Sequence, residues 1–259
     1  MATASMETPD RIIDPDGDLL IILQSSSVVF PQLQRGADEP GLSELESNIA
    51  NAGTSEADTD QEAPLKECRF KASSKHLALA CPHFKKMMSG PWSETKIHDD
   101  GLRHWVLEGF EENAMVIVLN AIHGLNRKVP RTIELSALSE IARIVDYLGC
   151  HEAVELLTEL WIRHLQGCVP TSYCNDTLLW ICIAGVFQVS DTFMDCTRLA
   201  ILESDGNMDT LGLPILSRID DHIDRRRIEH LDFIFKSLYD LIDQLSTSVK
   251  CGFACDSRE

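Results

Sequence analysis

Asp14-Pro15-Asp16-Gly17-Asp18 sets two carboxylates two residues apart at a turn. Such a pair can attack a phosphate and supply a proton, with a hard divalent cation alongside. That chemistry needs a buried apolar strand ahead of the pair. Here only Ile12-Ile13 precede it, and the apolar run Leu19–Leu23 follows. The segment is therefore read as an acidic turn entering a strand. His151-Glu152-Ala153-Val154-Glu155 holds half a zinc motif but no second His at the fourth step, and reads as a helix start with acids favoured by the dipole. Cys251 and Cys255 lie near the tail without a companion pair for a metal. Residues 203–214 fail the calcium-loop pattern, with Met208 where Gly is needed and Pro214 where Glu is needed. The chain has no phosphate-binding glycine loop and no Gly-x-Ser-x-Gly elbow. No catalytic residue, metal ligand or cofactor is expected.

Composition narrows the partners. The net charge of −18 argues against phosphate backbones and anionic membrane surfaces, both of which need clustered Lys and Arg. Arg225-Arg226-Arg227 is flanked by Asp220, Asp221, Asp224 and Glu229, and reads as a salt-laced helix face rather than a nuclear signal. The start has no basic, apolar leader, so the nine cysteines are expected as reduced thiols, with residence in the cytoplasm, the nucleus or both. Asn175-Asp176-Thr177 matches a glycosylation pattern but reads as a polar helix start. The longest apolar run, Leu178–Val189, falls well short of the ~20 residues that span a bilayer.

The elements follow from periodicity. Asp18–Leu23 is a short strand, which Val28–Phe30 extend or pair with. Residues 31–64 carry eight acids, one Arg and no aromatic, and are expected to form a disordered acidic insertion. Strand material resumes at Cys68-Arg69-Phe70. Leu77, Cys81, Phe84 and Met88 then mark one apolar helical face, with Ser73 or Ser74 as cap, Pro82 as a kink or break, and Gly90-Pro91 as the stop. His104–Phe110 is the next strand. A helix runs from Glu111 to about His123 and ends at Gly124. After the basic loop 125–131, Thr132 caps a helix with Leu135, Leu138, Ile141, Ile144 or Val145, and Leu148 inward, ended by Gly149. The next helix buries Val154, Leu157, Trp161 and Leu165. Leu178–Val189 is apolar all round and is expected as a helix buried on most sides. After a loop over 203–214, a long helix carries Ile219, Ile223, Leu231, Ile234, Leu238, Leu241 and Leu245 on one stripe. The class is α+β and predominantly helical. The expected division is a disordered start (1–10), a first domain (11–166), a helical extension (170–247) and a frayed tail (248–259).

Several pieces in order resemble the BTB/POZ family, in particular the BTB-domain proteins common in fungi. They are Asp18–Leu23, the Phe70–Met88 segment, Gly90-Pro91-Trp92-Ser93-Glu94, the helix ending in Ile122-His123-Gly124, and the helix pair through Ile141–Cys150. The resemblance covers residues 11 to about 165. It implies a BTB-like core, a small sheet covered by helices, with the all-helical extension appended. It also implies a protein-interaction module without chemistry of its own. The chain departs from the family at Ser73 and Ser74, where His-Arg or His-Lys is usual, at Cys81 in place of Ser, and at Ile122-His123 in place of Tyr-Thr. It also lacks zinc fingers and kelch repeats.

In that family the first helix lies at a dimer seam. This places His76, Leu79, Ala80, His83 and Met87 at a homodimer interface, where isologous symmetry would make protonation of His76 and His83 oppose association. The resemblance also implies protein partners, a cullin-type ubiquitin ligase scaffold among them. The corresponding loop here is basic, with Arg127, Lys128 and Arg131, which favours the alternative of a dimerising scaffold or transcription-linked regulator. A remote second resemblance joins Asp14 and Asp16 to the Asp-x-Asp-Gly-Thr-Leu of haloacid-dehalogenase phosphatases, which use magnesium; Asp18 stands where that motif has Thr.

Overall fold

The computed structural model of the chain describes residues 9–25, 66–204, 206, 213 and 217–247. Val28–Phe30, the acidic segment 31–64, most of the 203–214 loop and the tail 248–259 lie outside the described residues. The protein is α+β and mostly helical, as its patterning implies. It forms two compact units, Met1–Pro130 with Ile144–Val154, and Arg131–Arg143 with Glu155–Glu259. Two helices, α4 (Leu135–Leu148) and α5 (His151–Leu165), contribute to both, whereas the sequence reading sets a junction between 166 and 170.

The first unit is built on a four-stranded sheet in the order β1-β3-β2-β4. The strands are β1 (Arg11–Ile12), β2 (Leu19–Ser25), β3 (Lys66–Ala72) and β4 (Arg103–Glu108). β2 runs antiparallel to β3, with Ile21 opposite Phe70, and parallel to β4, with Ile21 opposite Trp105. β2 has buried side chains on both faces, Leu19, Leu20, Ile21 and Leu23, which is why it reads as an unbroken apolar run. Its neighbours alternate: Cys68, Phe70 and Ala72 are buried in β3, and Trp105 and Leu107 in β4.

Between β3 and β4 lie two short helices, α1 (Ser74–Ala80) and α2 (Pro82–Met88). Pro82 opens α2, and Cys81 between them is extended, with φ −121° and ψ 98°. The proline at this position thus divides two helices instead of kinking one. Leu77, Cys81 and Phe84 are buried, and the Phe84 ring lies 4.9 Å from that of Trp105. α3 (Glu112–Ile122) follows β4. The Glu111 carboxylate accepts the Asn113 and Ala114 amides at 2.9 and 2.6 Å, and Gly124 takes φ +70° just past the end. Gly149 likewise follows α4 at φ +66°. α4 starts at Leu135, not at a Thr132 cap: the Leu138 amide bonds the Glu134 carbonyl, and residues 131–134 are irregular.

In the second unit Trp161 of α5 and Trp180 of α6 (Asn175–Val186) are fully buried. α6 is buried on most sides, as expected, but the apolar run is not one helix to Val189. It stops at Val186, and α7 (Ser190–Glu203) begins after a left-handed Gln188 at φ 58°. The Val189 amide bonds the Ala184 carbonyl, which closes α6 in a Schellman-type turn with glutamine where glycine is usual. α6 does begin at Asn175, and Thr177 is buried with its hydroxyl accepting the Cys174 amide at 3.1 Å. α8 (Ser217–Thr247) is the long C-terminal helix.

Candidate interaction surface

The α1–α2 pair is positioned by polar groups from elsewhere in the first unit. The Asp18 carboxylate, at the entry to β2, accepts the Ser74 amide at 2.8 Å, the Ser74 hydroxyl at 2.7 Å and an Arg103 guanidinium N–H at 2.7 Å. The Arg103 amide in turn donates to the Asp18 carbonyl at 3.0 Å. Burial pushes the Asp18 carboxyl up, but the Ser74 amide and hydroxyl, its own amide and the Arg103 charge outweigh it and hold it below the usual range. Asp18 thus serves the helix start that Ser73 or Ser74 was expected to cap with its own side chain; Ser73 makes no such bond.

His123, just past α3, completes the anchorage. Its Nε2 accepts the Ser73 amide at 3.0 Å, and its Nδ1 faces the Leu119 carbonyl at 2.8 Å. This is the neutral Nδ1–H tautomer, because a protonated ring has no acceptor for the Ser73 N–H. Burial lowers its proton affinity and outweighs the Leu119 bond, and His76, whose ring stacks at 5.0 Å, lowers it further.

The expected seam residues sit on the outside of this pair. His76 is exposed against His123, Leu79 is 88% exposed, and His83 is exposed with Nδ1 3.2 Å from the Tyr147 carbonyl. Ala80 and Met87 are half-buried. The break at Cys81 ends the helical spacing that linked His76 and Leu79 to His83 and Met87, so the five belong to two short helices rather than one continuous stripe. Arg127, Lys128 and Arg131 are all exposed, and Val129 between them is buried, pinning the loop. Arg127 and Lys128 fall in the first unit and Arg131 opens the second.

The paired acids are committed to a turn. The Asp14 carboxylate accepts the Asp16 amide at 3.0 Å, and its carbonyl accepts the Gly17 amide at 3.1 Å. A Cβ on Gly17 would lie 2.4 Å from the Ala72 carbonyl oxygen, so the turn is pressed against β3. The pair precedes β2 and does not follow a strand long enough to present it.

One group escaped the sequence reading. His98 and His104 stack with ring centroids 3.9 Å apart, and His104 Nε2 meets the Asp100 carboxylate at 2.7 Å. Spacing gave no sign of it, because a turn at Gly101 (φ +79°) folds the segment back. Among the described residues no group of three His, Cys, Asp or Glu side chains could hold a metal ion, and no helix is long and apolar enough to cross a membrane. No protein-family model matches the chain, and no curated protein matches it significantly.

Proposed function

We propose that this chain is a non-enzymatic interaction module of the BTB type, which associates with a second copy through the outer side of α1 and α2 and recruits a further protein. The observation that carries the reading is the α1–α2 pair. Its inner side is fixed by Leu77, Cys81 and Phe84, its start is held by Asp18 and His123, and its outer side presents Leu79 between His76 and His83. A rigid pair that spends its polar groups on anchorage and holds an apolar side chain in water suits a docking element better than a reaction centre. The order of elements, a β2–β3 pair, two short helices, β4 parallel to β2, then helices, agrees with the residues that carry the family resemblance. On this reading the protein works in the cytoplasm or nucleus.

Photo-crosslinking tests the seam. With p-benzoylphenylalanine in place of Leu79 in the full chain, covalent dimers joined between α1–α2 of the two copies are expected. Crosslinks only within one copy, or to other elements, would remove the seam. Two recruitment jobs remain, substrate adaptor for a cullin-type ligase and plain dimerising scaffold. Affinity purification from the native cells separates them, with a bait carrying Arg127→Glu, Lys128→Glu and Arg131→Glu as control. A cullin scaffold that is captured by the first bait and lost with the second establishes the adaptor. Its absence from both leaves the scaffold.

A further inference from the structure

α1 has little of its own to hold it in place. It is seven residues long, too short to be helical alone, and buries only Leu77. Ser73 gives it no side-chain cap. Two acceptors from elsewhere fix its start: the Asp18 carboxylate on the Ser74 amide, and His123 Nε2 on the Ser73 amide. A proton acts differently on the two. Asp18 stays an ionised acceptor to below pH 3.8, because its carboxyl is held under the usual range. His123 has no such reserve. Its Nε2 accepts the Ser73 N–H at 3.0 Å, and its Nδ1–H goes to the Leu119 carbonyl at 2.8 Å. A second ring proton must therefore displace the Ser73 amide.

We infer that His123 is a proton-operated latch on α1: neutral, it holds the Ser73 amide, and protonated, it lets the start of the helix go. Among the described residues two titratable groups face the ring. From α1, His76 stacks on it at 5.0 Å, and a charge on either ring opposes a charge on the other. From the turn before β2, Asp14 favours the charged ring, but its carboxylate is also spent on the Asp16 amide. α3 supplies the Leu119 carbonyl. Asp18 and Arg103 face the neighbouring Ser74 and offset each other's charge. Burial is the largest influence and keeps the latched ring neutral. A released ring regains water and takes a proton with the ordinary value of 6.5, so the latch holds above that pH and loosens as pH falls below it. His76 and Leu79 ride on α1, so acid loosens the docking surface with it. That last consequence rests on the interaction reading above; the latch itself does not.

Hydrogen exchange of amides 74–80 in the full chain tests the latch, at pH 7.5 and 5.5 with rates corrected for intrinsic exchange. Low urea speeds exchange through unfolding and leaves local opening unaltered, so it separates the two. Protection is expected to fall between the two pH values, by up to about tenfold and without sensitivity to low urea. Tenfold is roughly the most that one ring titrating at 6.5 can drive over that range. His123→Gln keeps an acceptor that does not titrate, and is expected to abolish the fall. His76→Gln is expected to retain it. Unchanged protection, a fall that comes only through unfolding, a fall that survives in His123→Gln or one that vanishes in His76→Gln would overturn the latch. A second arm follows the crosslink from position 79 at both pH values. Its yield is expected to drop at pH 5.5 in the parent and to drop less in His123→Gln; equal drops would sever the latch from docking. A crosslink missing at both pH values would remove the docking reading, while exchange at 74–80 still decides the latch.

Discussion

At the start of α1 the binding partners come from far along the chain: Asp18 lies 56 residues before Ser74, and His123 lies 50 after Ser73. Along α8 the ion pairs come from the next turn, as Arg226–Glu229 and Asp224–Arg227 three residues apart, and only Arg227 near its start also reaches back, to Ser204 and Gly206, among the described bonds. The two regions therefore carry different information. Long-range bonds fix where α1 sits and leave little of its polar capacity for anything else. Local pairs stabilise α8 as a helix but place no constraint on what meets its apolar stripe.

The sharpest way to break this contrast is to set inner and outer positions of α1–α2 side by side. Phe84→Ala should cost about 3–5 kcal/mol in urea unfolding, through lost packing and the cavity against Trp105. Leu79→Ala should change stability by less than about 0.5 kcal/mol. Similar losses at both would mean that Leu79 is covered, and the docking surface would go with it.

Next in size is the anchor. Asp18→Ala should cost about 1–2 kcal/mol, because two Ser74 donors and the Arg103 fork lose their acceptor, with the figure held down by the partial exposure of the site. Since the folded carboxyl is held below its ordinary 3.8, its contribution is present above that pH and is lost as pH falls through the lower folded value. Acid unfolding of Asp18→Ala should accordingly be shallower below pH 3.8 than that of the parent. Parallel acid limbs would show that the carboxylate contributes nothing.

His123 sharpens the comparison over a milder range. Its folded proton affinity lies below the ordinary 6.5, so the neutral ring favours the fold above that pH and stability falls on acidification through it. The urea midpoint should drop between pH 7.5 and 5.5, and His123→Gln should flatten that slope. A slope that persists in the variant assigns the effect elsewhere.

The smallest effect belongs to the second unit. Gln188→Gly should raise the melting temperature, by up to about 1 kcal/mol in stability, because a left-handed residue without a Cβ relieves the turn between α6 and α7. A lower melting temperature would mean that the glutamine side chain supports the turn.

What the sequence revealed was what single residues decide by themselves. Pro82 must open a helix or break one, and Gly124 and Gly149 end helices because they accept a positive φ. The apolar runs at Asp18–Leu23, Cys68–Phe70 and His104–Phe110 marked the places of β2, β3 and β4, but not their order in the sheet. What stayed hidden was settled at a distance. Ser73 looked like a self-sufficient cap, yet its amide goes to His123 and the work of capping goes to Asp18. Gln188 carries no mark of a left-handed turn, so the apolar run reads as helix on to Val189. The early start given to α4 at Thr132 came from a good cap residue that the chain does not use. In α8 the stripe was legible and its lack of cover was not, because periodicity reports which side chains share a face and never what lies against it.

The cysteines give this architecture a built-in clock. Cys168 and Cys174 are exposed, whereas Cys68, Cys81 and Cys150 are buried in the first unit and Cys182 and Cys196 in the second. Cys81 and Cys150 share a thiol hydrogen bond that, with burial, pushes Cys150 upward, and burial raises Cys68 and Cys196 to about 11. None of these five reacts until its surroundings open. Among the described cysteines a thiol reagent therefore marks two sites at once, and labelling mapped residue by residue then reads the opening of each unit separately.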